Sequence, residues 1–112
     1  EFRRVLFRSI LIGVSNSVVV GTVALIPMEA GTVELAKMTV SITERGKGLG
    51  LALGEAALTR AKELGADKIY LESNTILTPA ISLYQKLGFQ RLTHDAKASP
   101  YERCNVKMEL VL

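Results

Sequence analysis

The chain has 112 residues, of which 48% are hydrophobic and 22% are charged. This length suits one small domain with a hydrophobic core, and no apolar run approaches the roughly 20 residues that a membrane-spanning helix needs. The one cysteine, Cys104, permits no internal disulfide, so we expect a soluble, cytoplasmic enzyme or binding domain.

The net charge of +3 depends on the first nine residues. Residues 1–9, EFRRVLFRS, match the translated end of a common short-read sequencing adapter, and we expect them to be an artefactual segment. Without Glu1, Arg3, Arg4 and Arg8 the net charge falls from +3 to +1. The alternative is a genuine basic arm that binds nucleic acid or membrane. Because most of the basic character lies in this segment, we predict neither a nucleic-acid partner nor a membrane partner.

The next part of the chain predicts antiparallel strands. A short apolar stretch at residues 10–12 and a valine-rich run at residues 18–26 flank a Ser-Asn-Ser sequence at residues 15–17, which favours a hairpin turn. Pro27 and Gly31 bracket a loop. Residues 33–42 then predict a further strand.

The apolar pattern of residues 33–42 changes parity near Ala36 and Lys37. The apolar residues lie at odd positions before that point and at even positions after it: Val33 and Leu35, then Met38, Val40 and Ile42. One extra residue in a β-bulge would explain the change. A strand that is buried on both faces is the alternative.

A glycine-rich stretch, RGKGLG at residues 45–50, joins this strand to a helical pattern. The first four N–H groups of a helix have no internal acceptor, and the helix dipole adds positive charge there. Gly46, Gly48 and Gly50 leave that backbone open to an anion, and Arg45 and Lys47 add positive charge beside it. The stretch therefore predicts a pyrophosphate cradle. It is not a P-loop, since no Ser or Thr follows Lys47.

Two helices and three strands are predicted after the cradle. In chain order they are a helix to Leu64 that stops at Gly65, a strand at residues 68–72, a helix capped at Thr78-Pro79 and closed by Gly88, a strand at residues 89–93, a polar loop at residues 94–105 and a strand at residues 106–112. Leu49, Leu53, Ala57, Ala61 and Leu64 form the predicted inner face of the first helix. The order indicates a mixed α/β layer with a largely antiparallel start.

Two motifs of this chain are shared with one enzyme family. Arg45, Gly48 and Gly50 fit the pattern of Arg or Gln, two residues, Gly, one residue, then Gly or Ala. Asn74 and the run AISLYQKLGF at residues 80–89 form a second block. Residues 18–112 thereby resemble the GCN5-related N-acetyltransferases (GNAT family), whose acetyl-coenzyme A signature is the first motif. The resemblance implies an α/β (α+β) fold, with a mixed, mostly antiparallel sheet flanked by helices, and acetyl-coenzyme A as co-substrate of an N-acyltransferase of bacterial type.

The chain departs from the family pattern at its beginning. It lacks the opening strand and the two helices that follow that strand, which form much of the acceptor wall in the family. We therefore expect residues 10–112 to be a partial N-acetyltransferase domain, with residues 10–12 as the remnant of a strand. A missing layer would leave sheet surface exposed, and exposed apolar surface promotes association.

The resemblance also implies a coenzyme site. The backbone amides of the cradle would hold the pyrophosphate, while the pantetheine arm would run beside Met38, Thr39 and Val40, with the N–H of Val40 polarising the thioester carbonyl. The cradle residues are Arg45, Gly46, Lys47, Gly48, Leu49 and Gly50. Asn74 is expected to contact the pantetheine region and Lys86 to reach the coenzyme. The alternatives are a turn-capping asparagine and a solvated helix lysine.

Tyr84 is the predicted general acid, because a phenol with a pKa of about 10 stays protonated at neutral pH and has a proton to give to a departing thiolate. A core tyrosine is the alternative. Glu34 is the predicted base for the incoming ammonium, directly or through water, and the alternative is an exposed strand glutamate. Further proton acceptors are Glu29, Glu44 and His94.

The expected acceptor is a primary amine of a small molecule or a peptide, and the resemblance allows a homodimer. No metal is expected, because no Cys/His spacing suits one, and Cys104 is interpreted as a packed or incidental thiol. A non-catalytic acetyl-coenzyme A-binding module, or an inactive truncated fragment, is the alternative function.

A dinucleotide-binding unit is a third hypothesis, suggested by Gly46, Gly48 and the acidic Glu72 at the end of the next strand. The spacing G-x-G-x-x-G fails, because the third glycine falls at position 50 rather than 51. The strands that precede the glycines also look antiparallel rather than part of a βαβ unit.

Overall fold

The structure is a computed structural model that describes residues 9–92 and 105–112. In this part of the chain, six strands, two α-helices and one 3₁₀ turn follow one another. They are β1 (Ser9–Ser15), β2 (Val18–Pro27), β3 (Thr32–Val40), the 3₁₀ turn (Ile42–Glu44), α1 (Leu49–Glu63), β4 (Lys68–Ser73), α2 (Thr78–Leu87), β5 (Gln90–Arg91) and β6 (Val106–Val111).

All six strands belong to one sheet with the spatial order β1-β2-β3-β4-β6-β5. Neighbouring strands pair antiparallel except β3 and β4, which are parallel and connected through α1. The predicted mixed, mostly antiparallel sheet is confirmed. The strands before the cradle are antiparallel as expected, but β3, α1 and β4 form a βαβ unit that the sequence analysis did not predict.

Both helices pack on the same face of the sheet. Leu53, Ala57 and Ala61 of α1 and Tyr84 of α2 belong to one buried cluster with the inward side chains of the central strands. Those strand residues are Val23, Leu25, Val33, Leu35, Ile69, Leu71, Val106 and Met108. The predicted inner face of α1 is confirmed, since Leu49 and Leu64 pack against the same cluster. The apolar residues at helical spacing in α1 and the alternating apolar residues of β6 therefore belong to the same hydrophobic core.

The second face of the sheet is not covered by α1 or α2. On β1 this face carries Ile10, Ile12 and Val14, whose side chains are 69%, 54% and 57% exposed. Such exposed apolar surface is expected where a layer of the fold is missing. That the chain lacks family elements stays a prediction.

Several element boundaries differ from the prediction. β1 extends from Ser9 to Ser15 rather than over residues 10–12, because it pairs with β2 along its whole length. β3 ends at Val40, and Ile42 lies in the 3₁₀ turn with 79% of its side chain exposed. Leu77, not Thr78, occupies the position before α2, and no side chain caps that helix.

β5 covers only two residues of the predicted strand at residues 89–93. Thr93 and most of the predicted polar loop lie outside the described residues, as do His94 and Cys104. The terminal strand is confirmed at Val106–Val111.

The predicted bulge in β3 is confirmed. Thr22 pairs with Thr39 and Ala24 pairs with Ala36, so the single residue Val23 faces two residues of β3. Lys37 adopts a φ of 53°, a left-handed backbone conformation that residues other than glycine rarely adopt. The parity change in the sequence therefore reports an inserted residue and not burial on both faces.

Two glycines, one on each strand of the β1–β2 hairpin, face α1 and test how closely the helix packs on the sheet. A Cβ at Gly21 would lie 2.6 Å from Leu53 Cδ1 and 3.1 Å from the carbonyl oxygen of Thr39. We expect Gly21→Ala to lower the free energy of unfolding by about 1–3 kcal/mol, because buried Leu53 and the backbone have little room to move. Urea denaturation measures this change.

Gly13→Ala is the matched control, since Gly13 pairs with Gly21 and the closest atom to its Cβ would be Leu49 Cδ1, at 3.2 Å, with Leu53 Cδ2 farther away at 3.7 Å. We expect a smaller loss of stability for Gly13→Ala. Equal stability of the two variants would contradict the proposed close contact of α1 with Gly21.

Candidate active site

A cavity of about 490 Å³ lies where the carboxyl end of β3, the glycine-rich cradle and α2 meet. Its lining residues come from three separate parts of the chain: Met38, Val40, Glu44, Arg45, Gly46, Gly50, Leu77, Pro79, Ala80, Leu83 and Tyr84. The fold thus brings Met38, Val40, three cradle residues and Tyr84 to one cavity. All of these residues are predicted from the sequence to belong to one site. Three further predicted residues, Thr39, Lys47 and Gly48, are exposed neighbours of this lining.

The cavity lies beside the part of β3 that separates from β4. β3 pairs with β4 only at Thr32, Val33 and Glu34, whereas β4 continues to Ser73. The N–H of Ser41 donates to the carbonyl of Val20 at 2.7 Å, so by the alternation of an antiparallel ladder the N–H of Val40 points away from β2. It points toward the gap between β3 and β4. The geometry is suited to binding a ligand group through the backbone at this position.

The cradle leads directly into the amino end of α1. Gly48 is the residue before the helix, with a φ of 80° and no side-chain cap, and no acidic residue occupies the first turn. Gly46 has a φ of 82°, and a Cβ built on Gly46 or on Gly48 would meet no atom within 4 Å. The open space and the uncapped N–H groups form an anion-binding geometry.

The two basic side chains of the cradle already have partners. Arg45 Nε donates to the carbonyl oxygen of Val40 at 3.2 Å, which ties the cradle to the end of β3. Lys47 Nζ lies 3.7 Å from Glu44 Oε2. Glu44 also lines the cavity, so it places a carboxylate beside the predicted pyrophosphate site. Because the Lys47 side chain is largely exposed, this ion pair is weak and Lys47 can leave it at little cost.

Tyr84 belongs to the core and to the cavity at once. The residue is 9% exposed, and its ring meets Phe89 edge to face with 6.0 Å between the ring centroids. Burial raises the pKa of the Tyr84 phenol above its ordinary value of 10.0, because the charged phenolate loses hydration. The phenol is therefore protonated at neutral pH.

Glu34 lies outside the cavity lining. It is half-buried on β3 beside Tyr70 of β4, on the sheet face opposite to buried Val33 and Leu35. Burial raises the pKa of Glu34 above its ordinary value of 4.5, and the negative charge of Glu72 raises it further. A raised pKa makes the carboxylate a stronger base. Its predicted role in accepting a proton stays a prediction.

The other two predicted contacts of the coenzyme also lie outside the lining. Asn74 Oδ1 accepts a hydrogen bond from the N–H of Ile76 at 3.0 Å, and the Asn74 carbonyl accepts one from the N–H of Leu77 at 2.9 Å. The turn-forming interpretation of Asn74 is thus observed. Lys86 is exposed in the last turn of α2. The roles of both residues toward a coenzyme stay predictions.

The alternative proton acceptors are far apart in the fold. Glu44 lines the cavity, whereas Glu29 lies in the turn that precedes β3, at the end of the strand remote from Val40. Leu49, the remaining cradle residue of the prediction, instead packs against the hydrophobic core.

One wall of the cavity, formed by Leu77 and by apolar residues of α2, is not predicted from the sequence. This wall consists of Leu77, Pro79, Ala80 and Leu83. Ala80 lies three residues before Leu83 and four before Tyr84, and this helical spacing is the signal that places Ala80 beside both. Leu77 precedes the helix, so no periodicity identifies it.

Among residues 9–92 and 105–112, no group of three or more His, Cys, Asp or Glu side chains is arranged to hold a metal ion. Neither α1 nor α2, the helices of the described part, is long and apolar enough to cross a membrane.

Comparison with known proteins gives matches in sequence and in structure. A sequence model of the acetyltransferase (GNAT) family matches residues 3–89. The Escherichia coli protein YjgM, named an uncharacterized N-acetyltransferase, is 36% identical over 88 residues, which are 79% of this chain and 53% of YjgM. Bacillus subtilis YvbK, with the same description, is 36% identical over 77 residues, which are 67% of this chain and 50% of YvbK. The chain thus spans about half the length of these curated relatives.

Solved structures share the fold. A Bacillus subtilis acetyltransferase crystallised in complex with CoA superimposes with a TM-score of 0.79 at 27% identity, covering 92% of this chain and 76% of that protein. A Staphylococcus aureus acetyltransferase of the GNAT family has a TM-score of 0.78 at 24% identity, with 91% and 66% covered, and supports the fold alone. With the family model matching most of the chain, and with the cradle and Tyr84 meeting at one cavity, this protein belongs to the acetyltransferase (GNAT) family.

Proposed function

We propose that this protein is an N-acetyltransferase that transfers the acetyl group of acetyl-coenzyme A directly to a primary amine of a small molecule or a protein. The observation that carries the proposal is the cavity that joins the glycine cradle at the amino end of α1 to the buried phenol of Tyr84. One end suits a pyrophosphate and the other suits a leaving thiolate. The relative crystallised with CoA supports the same ligand class.

The cradle would bind the coenzyme mainly through its backbone. The uncapped N–H groups of α1 and the positive end of the helix dipole attract phosphate oxygens without any side-chain rearrangement. Lys47 would exchange its partner Glu44 for a phosphate, whereas Arg45 would keep the cradle attached to Val40. The pantetheine arm would follow Met38, Thr39 and Val40 toward Tyr84.

The chemistry requires proton transfers both at the amine nitrogen and at the departing sulfur. A neutral amine attacks the thioester carbonyl carbon, a C–N bond forms, and the C–S bond breaks. Tyr84 would give its proton to the departing sulfur, and the N–H of Val40 would stabilise negative charge on the carbonyl oxygen. Before the attack, the incoming ammonium would lose a proton to Glu34, directly or through water, since the raised pKa of Glu34 suits a base. After the C–N bond forms, the nitrogen loses a second proton to solvent.

The coenzyme assignment is tested with two glycines of equal backbone geometry. Gly46 and Gly65 both have a φ of 82° and open space around their Cα atoms, but only Gly46 lines the cavity. We expect Gly46→Ala and Gly65→Ala to lose similar stability, about 1–2 kcal/mol, because alanine is strained in this conformation. Only Gly46→Ala should also weaken acetyl-coenzyme A binding, which calorimetry and thermal-shift titration measure.

For the unsubstituted protein, acetyl-coenzyme A at 100 times its dissociation constant should add about 2.7 kcal/mol of stability. NAD and ATP serve as control ligands. A cooperative unfolding transition that acetyl-coenzyme A does not shift would contradict the coenzyme assignment, and so would equal affinities of the two glycine variants.

Tyr84→Phe separates catalysis from binding. The substitution keeps the ring contact with Phe89 but removes the acidic proton. We expect kcat for acetyl transfer to fall by about 10²–10⁴-fold, the usual contribution of a general acid, with little change in coenzyme affinity. Release of free thiol, followed with a thiol reagent, measures the rate. An unchanged kcat would remove Tyr84 from the mechanism.

Glu34→Gln tests the raised pKa of Glu34. Because the folded protein holds this proton more tightly than the unfolded chain, ionising Glu34 costs stability as the pH rises above 4.5. We therefore expect the free energy of unfolding of the unsubstituted protein, relative to that of Glu34→Gln, to fall as the pH rises from 4.5 to the raised pKa of Glu34 in the folded protein. Above that pKa the difference should stay constant. Urea denaturation between about pH 4 and 7 measures the difference. A pH-independent difference would contradict the shift, and Glu72→Gln should reduce the shift without abolishing it.

A further inference from the structure

The bulge in β3 decides which side chains reach the cavity. Before the bulge, Val33 and Leu35 point toward the helices, and after it Met38 and Val40 do so. In a regular strand that continued from Leu35, residues 37 and 39 would point that way instead. The inserted residue is therefore the reason that Met38 and Val40 line the cavity.

The bulge is conformationally costly because its left-handed residue is a lysine. Lys37 has a φ of 53°, which glycine adopts readily and side-chain-bearing residues do not. Such a conformation persists only where neighbouring interactions hold it. The nearest such interactions come from the partner strand β2.

Thr22 of β2 makes hydrogen bonds on both sides of the bulge. Its hydroxyl donates to the carbonyl oxygen of Lys37 at 3.3 Å, and its Oγ1 lies 2.8 Å from Oγ1 of Thr39. A hydroxyl has one proton, so the Thr39 hydroxyl must donate to Thr22 while Thr22 donates to Lys37. The two bonds form a chain that spans Met38.

We propose that Thr22 is a positioning residue of the active site, which holds the β3 bulge and thereby directs Met38 and Val40 into the cavity. Thr22 lies on the sheet face away from α1 and α2 and does not line the cavity. It acts only through the backbone of β3. The proposal rests on the proposed function in so far as the cavity binds acetyl-coenzyme A.

The first test compares Thr22→Val, which keeps the branched shape without the hydroxyl, with Thr22→Ser, which keeps the hydroxyl. Thr59→Val is the control, because Thr59 makes a similar hydroxyl-to-carbonyl bond, at 3.2 Å to Glu55, within α1. We expect Thr22→Val to bind acetyl-coenzyme A about tenfold more weakly, a loss of the size that one hydrogen bond explains. Thr22→Ser and Thr59→Val should bind like the unsubstituted protein. Retained affinity in Thr22→Val would overturn the proposal.

A second test asks whether the bulge itself is the cause. Glycine at position 37 adopts the left-handed conformation without strain, so Lys37→Gly should restore binding when combined with Thr22→Val. A general loss of packing at Thr22 would not be rescued in this way. Failure of the double variant to regain affinity would therefore contradict the positioning role.

Amide hydrogen exchange of residues 37–40 in the absence of ligand gives a readout that does not depend on the coenzyme. We expect faster exchange in Thr22→Val than in Thr22→Ser, and slower exchange again in the double variant. If the unsubstituted protein fails to bind acetyl-coenzyme A, the proposed function fails while this measurement still tests the bulge. Equal exchange in all variants would overturn the role of Thr22.

Discussion

The course of β3 is the constraint on which the cavity depends. The strand pairs with β2 up to Val40 but with β4 only as far as Glu34, so its second edge becomes free of sheet pairing where the cavity begins. A strand that is hydrogen-bonded on both edges has no backbone group left for a ligand. The bulge at Lys37 adds the second requirement, because it turns Met38 and Val40 toward the helix side. The separation of β3 from β4 exposes the backbone of β3, and the bulge places the side chains of Met38 and Val40 beside the cavity.

The cradle and the core are linked through α1. Its inner face packs Leu53, Ala57 and Ala61 against the sheet, and this packing fixes where the uncapped amino end of the helix lies. The positive charge of that end belongs to the backbone and needs no flexible side chain. Arg45 and Lys47 supplement it but also serve the protein itself, one by bonding to the end of β3 and the other by pairing with Glu44. The residues predicted to bind an anion therefore also make contacts within the fold.

The predicted acid and base lie on opposite faces of the sheet. Tyr84 lies on the helix side, where burial keeps its phenol protonated, and Glu34 lies on the face that α1 and α2 leave uncovered, where burial and Glu72 both raise its pKa. If Glu34 is the base, the amine would have to pass from this face to the helix side to meet a thioester near Tyr84, and the gap between β3 and β4 offers a route. The same divergence of strands that exposes the backbone of Val40 would thus connect the two proton-transfer groups. The uncovered face also carries the exposed side chains of Ile10 and Ile12.

The sequence by itself determined the local features of this protein. The spacing of Arg45, Gly48 and Gly50, the helical period around Ala57 and the parity change at Lys37 are encoded within short stretches, because backbone conformation and side-chain period depend on near neighbours. Only the tertiary structure decided the parallel pairing of β3 with β4, the position of Leu77 in the cavity wall before α2, and the side of the sheet on which Glu34 lies. These depend on contacts between residues distant in the chain, and local pattern does not specify such contacts. The role of Thr22 belongs to the same class, since its partners Lys37 and Thr39 lie on another strand.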